Sequence, residues 1–242
     1  MTELQIILLA NGAVALGAAI QGSVGFGMNL IALPLLLALD DKLVPAPLLI
    51  AHLVLVSFLS TIEWPQIDRA ILIPAVVGAI PDTVLGILAL TLMSRDAFVV
   101  FTVAVLIGGI EAGALRAKVL RTRGVVGIVG AICGVCGTTT SVNGPPLGML
   151  MIGGSHLAAI RPTLAVFLWL STVFSLVALY LGGRFTGSTL ALAASLLPGT
   201  LAGLGVSKLA LRALGHRIAP RGVLLATSVL ATAVFIVKEW VI

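Results

Sequence analysis

The segment at residues 133–153, CGVCGTTTSVNGPPLGMLMIG, interrupts an apolar sequence with a polar run that ends in two prolines. Adjacent prolines cannot lie inside a helix without a loss of backbone hydrogen bonds, but they suit the first turn of a new helix. The segment therefore predicts an unwound break at residues 138–144 and a half-helix that begins at Pro145. Inside a membrane, unwound backbone is tolerated only where protein surrounds it or where it lines a wet cavity. The break is therefore predicted to be a functional site.

The composition of the chain is that of a protein that crosses a membrane several times. Of its 242 residues, 60% are hydrophobic and only 10% are charged, and the mean hydropathy is +1.22. Because soluble domains carry about 25% charged residues, a water-soluble core is excluded. The long runs of Ala, Val, Ile, Leu and Gly predict an all-α, polytopic integral membrane protein. No soluble domain or basic-aromatic cluster is available for nucleic acid, so the lipid bilayer is the expected surrounding.

Ten apolar segments joined by short loops account for nearly the whole chain. A transmembrane helix needs about 20 apolar residues. Two pairs of segments flank a break, and the other six are expected to cross the membrane. The segments are residues 4–20, 28–39, 43–62, 70–92, 97–115, 124–137, 145–153, 162–183, 187–206 and 220–241. We therefore predict a single transmembrane domain over residues 1–242.

The two halves of the chain resemble each other at an offset of 117 residues. Pro45 maps to Pro162, and PDTVLG at 81–86 maps to PGTLAG at 198–203. The same offset places a first break, QGSVGFG at 21–27, opposite the second break. We therefore predict an internal duplication, with repeat one at 4–115 and repeat two at 124–241.

The positively charged residues distinguish two topologies for the broken segments. Lys and Arg concentrate in the cytoplasmic loops of membrane proteins. If both broken segments cross the membrane, the 14 Lys and Arg residues divide equally between its two sides. If each broken segment is a re-entrant hairpin, only Lys42, Arg95, Arg184 and Lys238 lie outside, and the others lie inside. The hairpin topology has the stronger bias, and we therefore prefer it.

The hairpin topology gives each repeat one re-entrant hairpin and three transmembrane helices. An odd number of spans inverts the second repeat relative to the first. The two hairpins then enter from opposite sides, and their tips meet near the middle of the membrane. Inverted repeats with broken helices at the midplane are typical of many secondary transporters.

Helix N-termini and neutral polar side chains at the two tips are suited to an anion. A helix N-terminus carries about half a positive charge and unpaired N–H donors. Half-helices that begin near Met28 and at Pro145 would direct these ends at one space, with backbone donors that include Leu147 and Gly148. No buried lysine or arginine is needed for such a site. The predicted substrate-binding residues are Gln21, Gly22, Ser23, Gly25, Gly27, Asn29, Thr138, Thr139, Thr140, Ser141, Asn143, Gly144 and Pro145. The alternative for the threonines is that they bond back to their own helix and bend it.

Two ionisable residues lie in the middle of predicted spans. His52 is central in 43–62, and Asp82 is central in 70–92. Ionisable groups at this depth are costly and are functional hypotheses by default. Either residue could carry a proton that couples anion movement to the proton gradient. The alternatives are a structural cap or kink at Pro81 for Asp82, and a neutral buried histidine for His52.

The two cysteines, Cys133 and Cys136, are three residues apart on one predicted helix. No second pair of thiols or histidines lies nearby to complete a metal site, so neither a metal nor a cofactor is expected. The cysteines are either small packing residues or reactive thiols of a membrane sulfur-transfer protein. The second interpretation is the weaker one because no base accompanies the thiols.

The motifs at the two breaks resemble those of the TauE/SafE, or sulfite exporter, family. The similarity rests on IQGSVGFGMNLIALPLL at 20–36 and NGPPL at 143–147. PDTVLG at 81–86, PGTLAGLG at 198–205 and HRIAPRGVLLA at 216–226 extend it over nearly the whole chain. The resemblance implies a multi-pass transporter of the inner (plasma) membrane and not an enzyme. The implied substrates are sulfur-containing or organic anions, such as sulfite, sulfonates or sulfoacetate, often exported.

Several alternatives remain open at this point. A channel-like anion facilitator could have the same hairpins. The sequence contains no nucleotide-binding loop, so the energy for transport must come from a gradient, with protons as one candidate coupling ion, or from a partner. The choice of anion, the direction of transport and the assembly, as a monomer or a homodimer, are not readable from the sequence.

Overall fold

The computed structural model describes residues 2–63, 67–114, 122–152, 157–214 and 220–240, and these residues are helical apart from short connections. Each apolar segment of the sequence corresponds to one helix, so the all-α expectation is confirmed. The α-helices are α1 Glu3–Val24, α2 Met28–Leu39, α3 Ala46–Glu63, α4 Arg69–Leu92, α5 Arg95–Ala114, α6 Arg123–Thr140, α7 Pro145–Ile152, α8 Leu157–Leu181, α9 Thr189–Leu214 and α10 Pro220–Trp240. A 3-10 turn at Asp41–Leu43 joins α2 to α3.

The described helices have the length and surface of a multi-pass membrane protein. Within the described ranges, five of them, in α1, α4, α6, α8 and α9, are long and apolar enough to cross a bilayer. Large apolar side chains such as Val84, Val177 and Leu230 are more than half exposed on these and neighbouring helices. Lipid tails can cover such side chains because they are as apolar as leucine. The arms α1 and α6, which the sequence assigns to predicted hairpins, are among the five helices that are long enough to cross a bilayer.

Both predicted breaks are present, but each is shorter than predicted. Helix α1 continues to Val24, so only residues 25–27 leave the helix, and α6 continues to Thr140, so only residues 141–144 do. The prediction that residues 21–24 and 138–140 are unwound is wrong. The hydroxyl groups of Ser23, Thr139 and Thr140 donate to carbonyl oxygens of the preceding turn, and this bonding leaves the backbone of the helix intact. The predicted starts of the half-helices, at Met28 and Pro145, are confirmed.

Left-handed backbone conformations end the two long arms. Gly25 ends α1 with a φ of 100°, and Gly27 precedes α2 with a φ of 113°. Glycine adopts this conformation without steric cost. Ser141 ends α6 with a φ of 64°, which costs a residue with a side chain about 1–2 kcal/mol. Both chain reversals are therefore defined by specific residues.

Each short helix contacts its own long arm, and we call the turns at residues 25–27 and 141–144 the tips of the two predicted hairpins. A Cβ added to Gly17 would lie 2.6 Å from the carbonyl oxygen of Met28. In the second hairpin, a Cβ added to Gly137 would lie 2.8 Å from Cβ of Asn143. The glycines in the long arms therefore allow the returning chain to approach closely.

Two parallel helix pairs hold the long arms in place. Helix α1 runs beside α9, and α6 runs beside α4. A Cβ added to Gly199 or Gly203 of α9 would lie 2.4 Å or 2.3 Å from a carbonyl oxygen of α1. In the other pair, a Cβ added to Gly130 of α6 would lie 2.0 Å from the carbonyl oxygen of Ala75. Close backbone contact through small residues is how helices associate in membranes, where apolar burial gives little driving force.

The α4–α6 contact gives a first testable prediction. The substitution Gly130→Ala forces the two backbones apart, and such overpacking costs about 1–3 kcal/mol. We expect a lower midpoint of thermal unfolding for the purified variant in detergent. The matched control is Gly12→Ala on α1, where an added Cβ meets no atom within 4 Å. An unchanged midpoint for Gly130→Ala would show that α4 and α6 do not pack this closely.

Candidate functional site

The two hairpin tips meet at a small closed cavity inside the bundle. A Cβ added to Gly144 of the second tip would lie 2.9 Å from Cβ of Phe26 in the first tip. The cavity has a volume of about 10 Å³, which is about the space that one water molecule needs. Its lining consists of Gln21, Gly27, Asn29, Leu30, His52, Val142, Asn143, Gly144, Pro145 and Leu168. None of these lining residues is a lysine, arginine, aspartate or glutamate.

The structure brings part of the predicted site together and leaves part of it outside. The predicted residues that line the cavity are Gln21, Gly27, Asn29, Asn143, Gly144 and Pro145. The predicted residues that do not line it are Gly22, Ser23, Gly25, Thr138, Thr139, Thr140 and Ser141. The cavity therefore lies at the starts of the two half-helices and in the turns before them.

Most of the polar groups outside the cavity have structural partners. The hydroxyl groups of Thr139 and Thr140 bond back to α6, as the structural alternative for the threonines proposes. The hydroxyl groups of Thr138 and Ser175 are 3.0 Å apart, and their hydrogen bond joins α6 to α8. Ser141 donates its hydroxyl group to the carbonyl oxygen of Pro45 at 3.2 Å. These groups build the walls around the second tip.

Gln21 connects the first tip to His52 on α3. Its Oε1 accepts a hydrogen bond from the backbone N–H of Met28 at 2.9 Å, which satisfies a donor at the start of α2. Its Nε2 lies 2.9 Å from Nε2 of His52. Since the Gln21 oxygen is already used by Met28, the amide NH₂ group must donate to the histidine nitrogen. This bonding assigns a neutral His52 with its proton on Nδ1.

The polar network continues from His52 to the second tip through α8. Nδ1 of His52 lies 3.2 Å from Oγ1 of Thr172. Nδ2 of Asn143 donates to Oγ of Ser171 at 3.2 Å and lies 3.5 Å from Oγ1 of Thr172. Ser171 and Thr172 were not among the predicted site residues. Their signal is a pair of adjacent hydroxyl residues in the middle of a largely apolar span.

The donors that remain at the half-helix starts differ from those predicted. The N–H of Gly148 donates to the carbonyl oxygen of Gly144 at 2.9 Å, so its prediction as a site donor is wrong. It is already part of the first turn of α7. Asn29 donates from Nδ2 to the carbonyl oxygen of Ser141, which ties the two tips together. Its Oδ1 atom is buried and has no hydrogen-bond partner among the described residues.

Arg161 of α8 lies beside the first tip, although the sequence analysis assigned it to a loop. Its Nη2 donates to the carbonyl oxygen of Gly22 at 2.8 Å, and its side chain packs against Gly25. A cation at this place stabilises the carbonyl groups at the C-terminal end of α1. Arg161 does not line the cavity. Arg161 is nevertheless a partly buried positive charge close to the cavity, where no lysine or arginine was predicted.

The other predicted residues, His52, Asp82 and the two cysteines, differ in their position relative to the cavity. His52 lines the cavity, whereas the side chain of Asp82 lies outside the described residues. Cys133 is buried and Cys136 is partly buried, both as free thiols on α6, and neither lines the cavity. In the described ranges, no group of three or more His, Cys, Asp and Glu residues is placed to hold a metal ion.

Gln21 gives a prediction about the stability of the site. The substitution Gln21→Met keeps the length of the side chain but leaves the N–H of Met28 and a nitrogen of His52 without their partner. Each unpaired buried group costs about 1–3 kcal/mol, so the midpoint of thermal unfolding should fall clearly. The control is Ser23→Ala in the same turn, whose hydroxyl group bonds only within α1. Equal midpoints for the two variants would contradict the described role of Gln21.

Comparison with known proteins adds a family relationship to this geometry. The family profile described as Sulfite exporter TauE/SafE matches residues 10–236. No curated protein and no solved structure matches the chain.

Proposed function

Because the chain belongs to the sulfite exporter TauE/SafE family, we propose that it exports sulfite or a related small sulfur-containing or organic anion across the plasma membrane. Members of this family are membrane transporters and not enzymes. The proposed binding site is the cavity between the hairpin tips. The observation that carries this proposal is the convergence of both tips on one uncharged, polar cavity.

Neutral donors suit an anion that must be both bound and released. The amide groups of Gln21, Asn29 and Asn143 and the starts of α2 and α7 supply hydrogen-bonding groups and partial positive charge. A buried lysine or arginine in contact with the anion would make its release more costly. Arg161 adds positive potential from behind the first tip without lining the cavity.

The closed cavity favours alternating access over an open channel. Its volume accommodates about one water molecule, so an oxyanion can enter only if the tips or their neighbouring helices move apart. A channel-like facilitator, the alternative, would conduct without such a movement in each cycle. The sulfur-transfer alternative is disfavoured because neither cysteine lines the cavity.

The helix packing supports an architecture of two equivalent halves. At the offset of 117 residues, α1 corresponds to α6 and α4 corresponds to α9. The pair α1–α9 is then the counterpart of the pair α6–α4. The contacts agree in detail. A Cβ added to Gly86 of α4 would meet Val135 of α6, and a Cβ added to Gly203 of α9 would meet Ala18 of α1. Gly86 and Gly203 are 117 residues apart, and the residues that they contact, Ala18 and Val135, are also 117 residues apart.

The positions of the charged residues support the hairpin topology and hence inverted repeats. Arg95 forms an ion pair with Glu239 at 3.3 Å, and Arg95 and Arg184 line the same cavity at one end of the bundle. If both broken segments crossed the membrane, Arg95 would lie on the opposite side from Arg184 and Glu239. The hairpin topology places all three residues on one side, in agreement with these contacts.

The network around His52 supports a mechanism for proton coupling. A protonated His52 would direct a second N–H at the NH₂ group of Gln21, so the amide would have to turn and offer its oxygen instead. Met28 would then lose its acceptor, and its N–H at the start of α2 would become available to the anion. Proton binding and anion binding would therefore be favourable together. The ionisable residues on the helices and the turn packed against α3 are Asp41, Lys42, Arg161, Tyr180, Lys208 and Arg212, and none of them is a hydrogen-bond partner of His52.

Transport by the purified protein tests the proposed function. We expect proteoliposomes to take up radiolabelled sulfite, and we expect Asn143→Leu to reduce uptake at least about 10-fold. The reason is that hydrogen bonds to charged groups contribute about 1.5–3 kcal/mol. Thr91→Val is the control, because this exposed hydroxyl group bonds only within α4. Uptake that Asn143→Leu leaves unchanged would contradict the site, and ohmic sulfite currents would identify a facilitator.

The role of His52 is tested by the pH dependence of uptake. A sulfonate is the better probe, since it stays anionic over the working pH range. We expect wild-type uptake to increase as the external pH falls and His52→Gln to remove this increase. His216→Gln, a histidine outside the predicted spans, should behave like the wild type. An unchanged pH dependence in His52→Gln would exclude coupling through this residue.

A further inference from the structure

A second and larger cavity lies at the end of the bundle that contains the C-terminal ends of α2, α4 and α10 and the N-terminal end of α5. Its volume is about 220 Å³, which is enough space for several water molecules. We call it the vestibule. Its charged lining consists of Asp41, Arg95, Arg184 and Glu239, and its lining also includes Leu37 and Pro45.

Arg95 joins three elements at the vestibule, namely α5, the 3-10 turn after α2 and α10. Its Nη2 lies 3.3 Å from Oδ2 of Asp41 in the 3-10 turn after α2 and 3.3 Å from Oε1 of Glu239 in α10. The side chains of Arg95 and Asp41 are 65% and 55% exposed, whereas that of Glu239 is only 14% exposed. Exposed ion pairs contribute about 0–1 kcal/mol, so the Arg95–Asp41 contact can break and form again readily, whereas Glu239 is the more buried partner of Arg95. The guanidinium group of Arg184, which donates to the carbonyl oxygen of Leu90, adds a second positive charge.

Two hydrogen bonds connect the lining of the vestibule to the lining of the cavity between the tips. Pro45 lines the vestibule, and its carbonyl oxygen accepts the hydroxyl group of Ser141. The carbonyl oxygen of Ser141 in turn accepts from Asn29, which lines the inner cavity. Helix α2 extends from one cavity to the other. Asn29, which lines the cavity between the tips, is in its first turn, and Leu37, which lines the vestibule, is in its last. A movement of α2 would therefore change both cavities together.

We propose that the vestibule is the route by which the anion passes between the tips and one face of the membrane, and that the ion pairs of Arg95 are its gate. This inference rests on the proposed function. An oxyanion in the vestibule competes with Asp41 and Glu239 for the guanidinium group of Arg95, because arginine binds carboxylates and other oxyanions with the same planar donors. Arrival of the anion thus loosens the contacts that hold α2 to α10. The layer of Asn29, Ser141 and Pro45 is the second barrier on the route.

The gate is tested by the accessibility of Leu37, which lines the vestibule but is only 3% exposed. The probe is Leu37→Cys in a chain that also carries Cys133→Ala and Cys136→Ala, labelled with a water-soluble maleimide. We expect Glu239→Gln to increase the labelling rate up to about 5-fold, which corresponds to the loss of one ion pair. The control is Asp96→Asn, a neighbouring carboxylate of α5 that does not line the vestibule. Equal labelling rates with and without Glu239→Gln would overturn the gate.

The route is tested by sulfite uptake into proteoliposomes before and after labelling. A maleimide on Leu37→Cys should abolish uptake, whereas the same label on Leu92→Cys, a position at the end of α4 that is 83% exposed and does not line the vestibule, should not. Ser94→Cys probes the same vestibule if Leu37→Cys does not fold. Full uptake by the labelled vestibule variant would overturn the route but leave the proposed function intact. Absence of uptake in the unlabelled wild type would instead contradict the proposed function, while the labelling rates would still decide the gate.

Discussion

The structure depends on one constraint, which is that backbone leaving a helix inside a membrane must find its hydrogen-bond partners within the protein. The amide of Gln21 meets this constraint at the first tip by accepting from Met28 at the start of α2. At the second tip, the carbonyl oxygen of Ser141 accepts from Asn29 of the first hairpin. Each hairpin therefore needs groups outside its own turn, and the second needs a group from the first. The same polar groups that stabilise the breaks also form the lining of a cavity.

This arrangement explains why the site is small and uncharged when the tips are together. The side chains of Gln21, Asn29 and Asn143 are all at least 95% buried and are engaged with protein partners on at least one side. An anion that binds here must replace some of these partners, and its binding energy is offset by that replacement. Such compensation keeps affinity moderate, which suits a transporter that must also release its substrate.

Sequence reasoning predicted the helices and the starts of both half-helices, because prolines and glycines act on local backbone geometry. It overestimated the unwound length at residues 138–140, because threonine hydroxyl groups satisfy carbonyl oxygens of the same helix instead of breaking it. It did not find Arg161 or Thr172, because their roles depend on which helices become neighbours in the fold. The central position of His52 in a predicted span indicated a functional role, and His52 does line the cavity. Its contact with Gln21 could not be predicted, because it depends on how α1 and α3 pack. The membrane sides that the charge counts assign to the loops remain a prediction.

We propose that both hairpin tips bind one and the same anion. Isothermal titration of the purified protein with sulfite tests this proposal, with wild type, Asn29→Leu and Asn143→Leu compared in the same detergent. We expect one sulfite per chain and an affinity that falls at least about 10-fold when either tip is changed, since each variant loses a hydrogen bond to a charged group. A variant at one tip that retains wild-type affinity, or two independent sulfite sites per chain, would contradict it.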